Sequence, residues 1–100
     1  MDQKIRMLLI IITEASLESK ISLDIEKLGG KGYTIIDARG KGHRGTRDAD
    51  WSVDSNIRIE IICKKDIAEK IMNYMKKNYY DNFAMVIYNH EVSISRSMKF

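Results

Sequence analysis

Ile5-Arg6-Met7-Leu8-Leu9-Ile10-Ile11-Ile12 is an almost unbroken apolar run, rich in β-branched isoleucine. A strand with one wet face alternates apolar and polar residues; a run without alternation is covered on both faces. The segment therefore reads as a central strand. It is far too short to span a bilayer. Lys4 and Arg6 precede its uninterrupted part, Met7–Ile12, as in a secretory leader, but Glu14 and Glu18 follow with no small-residue cleavage pattern, so the strand reading stands.

After this strand the period changes. Leu17, Ile21, Ile25 and Leu28 recur at helical spacing over residues 15–28, and Gly29-Gly30 supplies the stop. Tyr33–Ala38 is a second strand. Asn56–Cys63 is a third, its isoleucines 57, 59 and 61 alternating with Arg58 and Glu60. Asp66 followed by Glu69 resembles a helix-start pair. Ile67, Ile71, Tyr74, Met75 and Asn78 mark the helix behind it, and Phe83–Ser95 is the last strand. The order strand, helix, strand, strand, helix, strand predicts an α+β, ferredoxin-like βαββαβ domain with a four-stranded antiparallel sheet over residues 1–100. Two helices cover one face of such a sheet. The first strand is apolar on both, so the second face calls for cover from outside the chain, and self-association is the commonest source.

Composition sets bounds on function. In 100 residues there are 17 Lys and Arg against 14 Asp and Glu, a formal net charge of +3. Such a balance permits polyanion binding without requiring it. Apolar residues at 44% exclude wholesale disorder. A single cysteine excludes an intrachain disulfide and a Cys-rich zinc site, and fits a reducing, cytoplasmic compartment. With no proline, every peptide bond is expected to be trans.

Between the second and third strands lie 17 residues, Arg39–Ser55, where a hairpin needs two to five. Their first part, Arg39-Gly40-Lys41-Gly42-His43-Arg44-Gly45-Thr46-Arg47, interleaves four fixed cations and a histidine with three glycines. Glycines let successive N–H groups converge on an anion, and arginine forks bind phosphate or carboxylate in two places. A solvated basic loop is the plainer alternative. Gly40–Gly45 matches G-x-G-x-x-G, but that fingerprint needs a helix directly after it. Only ten residues separate Gly45 from Asn56, and Ala49, Trp51 and Val53 alternate as in a strand. His43 and His90 have no partner at metal-ligand spacing, Cys63 reads as a small buried hydrophobe, and Glu14 alone makes no general base.

At these residues the sequence resembles the PII-like signalling family, from about Lys4 to Arg96. Lys31-Gly32-Tyr33-Thr34, then Gly40-Lys41-Gly42 and Arg44, form one block; Trp51-Ser52-Val53-Asp54-Ser55-Asn56-Ile57-Arg58-Ile59-Glu60 forms another. Phe83-Ala84 and Glu91-Val92 agree in the last strand. Within the family it is most similar to SbtB-type and carboxysome-associated regulators of inorganic-carbon uptake. The resemblance implies a non-enzymatic homotrimer that packs its sheets inward and binds adenine nucleotides (AMP, ADP, ATP or cyclic AMP) between subunits, with bicarbonate a further candidate ligand. Loop 39–55, the family's T-loop, would engage a target such as a membrane transporter. By position, Gly40, Lys41, Gly42, Arg44 and Arg47 would hold phosphate, Phe83 and Ala84 would face the nucleotide, and Arg96 matches a terminal phosphate-binding arginine; the tail cations Arg96 and Lys99, otherwise solubilising, would close over a bound anion if the tail folds back. The loop is shorter than in the general nitrogen-sensing proteins, Gly45 follows Arg44 where they carry glutamine, and Ile94 replaces a second arginine; these departures argue against sensing of 2-oxoglutarate. The paired-cysteine extension of many SbtB proteins is absent.

Two other classes share the strand and helix order. An RNA-recognition module needs aromatics on the first and third strands, which carry none. An acylphosphatase-like enzyme needs an Arg and Asn in a Gly-rich first loop, where Thr13-Glu14-Ala15-Ser16 stands instead.

Overall fold

The structure, a computed structural model, describes residues 4–40 and 55–96. Strand β1 (Lys4–Glu14) runs into a single 3₁₀ turn (Ala15–Leu17) and helix α1 (Glu18–Lys27). Then come β2 (Thr34–Ala38), β3 (Asn56–Cys63), α2 (Lys65–Tyr79) and β4 (Met85–Ile94). The sheet order is β2-β3-β1-β4 with every neighbouring pair antiparallel. The apolar run is thus central, and the ferredoxin-like α+β expectation holds.

Pleating sends Leu9, Ile11 and Thr13 of β1 and Ile57, Ile59, Ile61 and Cys63 of β3 toward the helices. There they meet Leu17, Ile21 and Ile25 of α1 and Ala68, Ile71, Met75 and Tyr79 of α2, all buried. Each fully buried isoleucine contributes about 1.5–3 kcal/mol. The helical period on α2 runs 67, 71, 75, 79, so Tyr79 and not the exposed Asn78 ends the apolar stripe. Asn78 instead donates to the Tyr74 carbonyl at 2.8 Å.

The helix ends are explicit. Gly30 donates to the Ile25 carbonyl at 2.9 Å and Gly29 to that of Glu26 at 3.2 Å, the paired bonds of a Schellman stop. Gly29 has φ of 104°, a conformation that favours glycine, and a Cβ on Gly30 would lie 2.5 Å from Ile25 Cγ2. The start of α2 differs from expectation. Lys64, extended at φ −71° and ψ 157°, is the N-cap and makes no side-chain capping bond. Asp66 falls inside the first turn, where its charge favours the helix dipole instead of closing a capping box.

The other face of the sheet has no helix among the described residues. It carries Leu8, Ile10 and Ile12 from β1, Ile36 from β2, Ile62 from β3, and Val86 and Tyr88 from β4. Ile36, Val86 and Tyr88 are 45, 42 and 40% exposed. Ile10 alone is covered, at 2%. It lies between Glu60 and Tyr88 in the register, and Arg58 spans it: Nε meets Glu60 Oε2 at 2.9 Å and Nη1 donates to the Tyr88 hydroxyl at 3.4 Å. Two of the charges on this face, Arg58 and Glu60, are therefore paired with each other.

Candidate functional site

Ala38 and Asn56 form the last β2–β3 pair, so the stem of the long segment is fixed at the end of the sheet. In the same register Asn56 faces Glu14, and the β1–β4 ladder ends at Thr13 and Met85. Gly40 and the Phe83-Ala84 turn thus occupy one end of the sheet. Three strand spacings, about 14 Å, lie between the strands that carry them. A cleft of about 380 Å³ opens at the stem, lined by Ala15, Asp37, Ala38, Arg39, Ser55 and Asn56.

Gly40 is exposed, and a Cβ there would meet nothing within 4 Å. Its φ is outside the left-handed region, so nothing among the described residues demands glycine at this place. Lys41, Gly42, Arg44, Arg47 and Lys99, with His43 and Trp51, lie outside the described residues.

The turn before β4 is fixed from two sides. Asn82 and Phe83 donate to the Tyr79 carbonyl at 3.2 and 3.0 Å, and the Phe83 ring lies 5.9 Å from that of Tyr79. Tyr79 in turn donates its hydroxyl to Asp24 Oδ2 at 2.5 Å, while Tyr74 donates to Oδ1 at 3.3 Å. Burial first, and then the Asp24 carboxylate beside it, push the Tyr79 phenol above its ordinary range. On the sheet side, Thr13 Oγ1 donates to the Ala84 carbonyl at 2.7 Å, and the Ala84 N–H donates to Glu14 Oε2 at 3.0 Å. Ala84 is fully buried, so its part in any ligand site is to hold the turn; Phe83 is half-exposed and Asn82 exposed.

Arg96, exposed, follows the far end of β4. Ten residues of strand, about 30 Å, separate it from Ala84. At that end a cleft of about 220 Å³ is lined by Gly29, Lys31, Ile62, Cys63, Lys64, Asp66 and Ile67. Burial, and then the Asp66 charge, push the Cys63 thiol up to about 11, so it is protonated at neutral pH. Single-chain geometry therefore brings Gly40, Phe83 and Ala84 to one end and leaves Arg96 at the other.

Among the described residues, no three His, Cys, Asp or Glu side chains come together as a metal site. No described helix is long and apolar enough to cross a membrane. The bare sheet face carries no aromatic on β1 or β3, so it offers no base-stacking platform there. Sequence reasoning weighed Glu14 only as a general base and Thr13 only against an enzyme's first loop, and passed over Asp24. Thr13 and Glu14 close the apolar run, and their bonds reach across some 70 positions that no local pattern spans.

The chain matches the family described as nitrogen regulatory protein P-II over residues 6–99. The PII-like protein TTHA0516 of Thermus thermophilus is 36% identical, with a TM-score of 0.80 over 94% of this chain and 93% of that one. CPII from Thiomonas intermedia, bound to ADP, AMP and acetate, has a TM-score of 0.83 at 21% identity, covering 100% of this chain and 98% of its own. The same protein bound to ADP and bicarbonate has a TM-score of 0.81 at 19% identity, covering 99% and 97%. These two likenesses are of fold. With the family match along nearly its whole length and a relative at 36% identity, this chain belongs to the P-II family of signalling proteins.

Proposed function

We propose that this protein is a homotrimeric, non-enzymatic regulator that binds adenine nucleotides between its subunits. The observation that carries this reading is the separation of Gly40, Phe83 and Ala84 from Arg96 by the length of β4. One chain cannot bring them together. In a cyclic assembly each interface joins two different patches, one from each neighbour. The loop end of one subunit then meets the Arg96 end of the next, with the 220 Å³ cleft between. The bare face supports the same assembly, because Ile36, Val86 and Tyr88 stay exposed in a lone chain.

In this reading Gly40, Lys41, Gly42, Arg44 and Arg47 hold phosphate, Phe83 packs on the nucleotide beside the buried Ala84, and Arg96 and Lys99 close the site from the neighbour. Glycine at the exposed Gly40 position is then explained by the close approach of a ligand. ADP and AMP are the first ligands to test, because CPII binds them; bicarbonate follows for the same reason. The resemblance to regulators of inorganic-carbon uptake extends the proposal to the target, a bicarbonate transporter engaged through loop 39–55 on the cytoplasmic side of a membrane. A thermal-shift screen against AMP, ADP, ATP and cyclic AMP tests the nucleotide claim. A ligand at 100 times its dissociation constant adds about 2.7 kcal/mol to stability. No shift with any of the four would remove the basis of the proposal.

A further inference from the structure

Continuing the β1–β4 register past Thr13 and Met85 sets Ala84 opposite Glu14, but the backbone ladder stops there. Two side chains take over. Ala84 gives its N–H to the Glu14 carboxylate at 3.0 Å and receives at its carbonyl the Thr13 hydroxyl at 2.7 Å. Thr13 and Ala84 are fully buried, where an unmet backbone group is costly. The next residue, Ala15, donates its N–H to the Ser55 carbonyl at 2.6 Å, at the point where the long segment re-enters the sheet. Three consecutive residues, the last two of β1 and the first of the 3₁₀ turn, therefore hold both the turn before β4 and the stem of the loop.

We propose that Glu14 is a positioning residue for the ligand site: with Thr13 it fixes the Phe83-Ala84 turn relative to the loop stem at Ser55. This rests on the reading of that end as a nucleotide site. Phe83 is aimed only as well as the backbone after it is held, and that backbone is held by a carboxylate. An ionised acceptor bonds an N–H more strongly than a neutral carbonyl does. A turn tied by side chains, not by a continuing ladder, is also the place where one substitution frees the turn without unzipping the strand.

The test is calorimetric ADP titration of the full-length protein, with amide exchange at Ala84 and Ala15, for wild type, Glu14→Ala and Glu14→Gln. The proposal expects Glu14→Ala to speed exchange at Ala84 and to weaken ADP about tenfold, the size of one lost hydrogen bond to a charged group. Glu14→Gln, which keeps a neutral acceptor oxygen, should recover part of the affinity and of the Ala84 protection together; a role in bulk stability alone would lower the urea midpoint of Glu14→Ala and leave the ADP affinity of the folded protein unchanged. Thr13→Val removes the second bond at nearly constant volume and serves should Glu14→Ala fail to fold; it too should weaken ADP. Wild-type binding with unchanged affinity in a folded variant whose Ala84 amide has been freed would overturn the proposal and leave the nucleotide site standing. No ADP binding by wild type would instead overturn the nucleotide reading, and this proposal with it.

Discussion

Removing one oxygen tests how the turn at the candidate site is supported from the helix layer. In Tyr79→Phe the ring stays, with its contact to Phe83 at 5.9 Å and Lys20 Nζ at 5.5 Å from its centroid. What is lost is the donor 2.5 Å from Asp24 Oδ2. Asp24 is 8% exposed, so water replaces that donor poorly. A hydrogen bond to a charged group contributes about 1.5–3 kcal/mol. With an m-value of about 1–2 kcal/mol per molar urea, the denaturation midpoint should fall by about 1–2 M. Tyr74→Phe is the internal control. Its bond to Oδ1 is longer, at 3.3 Å, and the residue is half-buried, so the loss should be at most about 1 kcal/mol. Urea titrations followed by circular dichroism, all at one protein concentration because the proposed assembly would contribute by mass action, give the order. Equal losses in the two variants, or an undiminished Tyr79→Phe effect in an Asp24→Ala background, would refute the assignment of this energy to the Tyr79–Asp24 bond.

Three further outcomes follow from the same structure. Because the folded Cys63 thiol holds its proton up to about 11 against an ordinary 9.0, its contribution should be level below pH 9 and fall as pH rises toward 11, by about 2–3 kcal/mol; urea midpoints should lose their slope between pH 9 and 10 in Cys63→Ala, while above pH 10 the raised Tyr79 phenol keeps a fall of the same sign in both proteins. Gly30→Ala sets a methyl group 2.5 Å from Ile25 Cγ2 and 3.2 Å from the Ile25 carbonyl oxygen, and should cost about 1–3 kcal/mol in the same assay. Ile36→Glu places a charge on the bare sheet face, at a position 45% exposed in the lone chain; circular dichroism should stay native while light scattering shows the assembly lost.

The fold was legible because its signals are local. Eight residues, all but one apolar, placed β1 at the centre, isoleucines at 57, 59 and 61 fixed the phase of β3, and Gly29-Gly30 marked the end of α1. The stripe on α2 was read one residue short because Tyr79, a residue with a polar tip, enters the core through its bond to Asp24. Asp24 carries no local signal of burial; the tyrosines that donate to it lie 50 and 55 positions away. The candidate site is a different matter. Basic and glycine residues in a long loop raise the expectation of an anion, and residues 41–54 of that loop lie outside the described residues. The clamp at Thr13 and Glu14 needs the β1–β4 register before it exists at all, and the separation of Arg96 from Ala84 needs the strand between them.

Subunit complementation tests the central claim, a nucleotide site shared between chains, most directly. Arg44→Ala disables the loop end, and Arg96→Ala disables the opposite end. Each variant assembled alone should bind ADP more weakly, by about ten- to a hundredfold. Co-expressed with distinct tags and purified as mixed trimers, they should regain sites of wild-type affinity, because an Arg96→Ala chain still offers its intact loop to the intact Arg96 of an Arg44→Ala neighbour. Mixed trimers that bind ADP no better than either variant alone would place both arginines in the site of a single chain, contrary to the account given by the sheet.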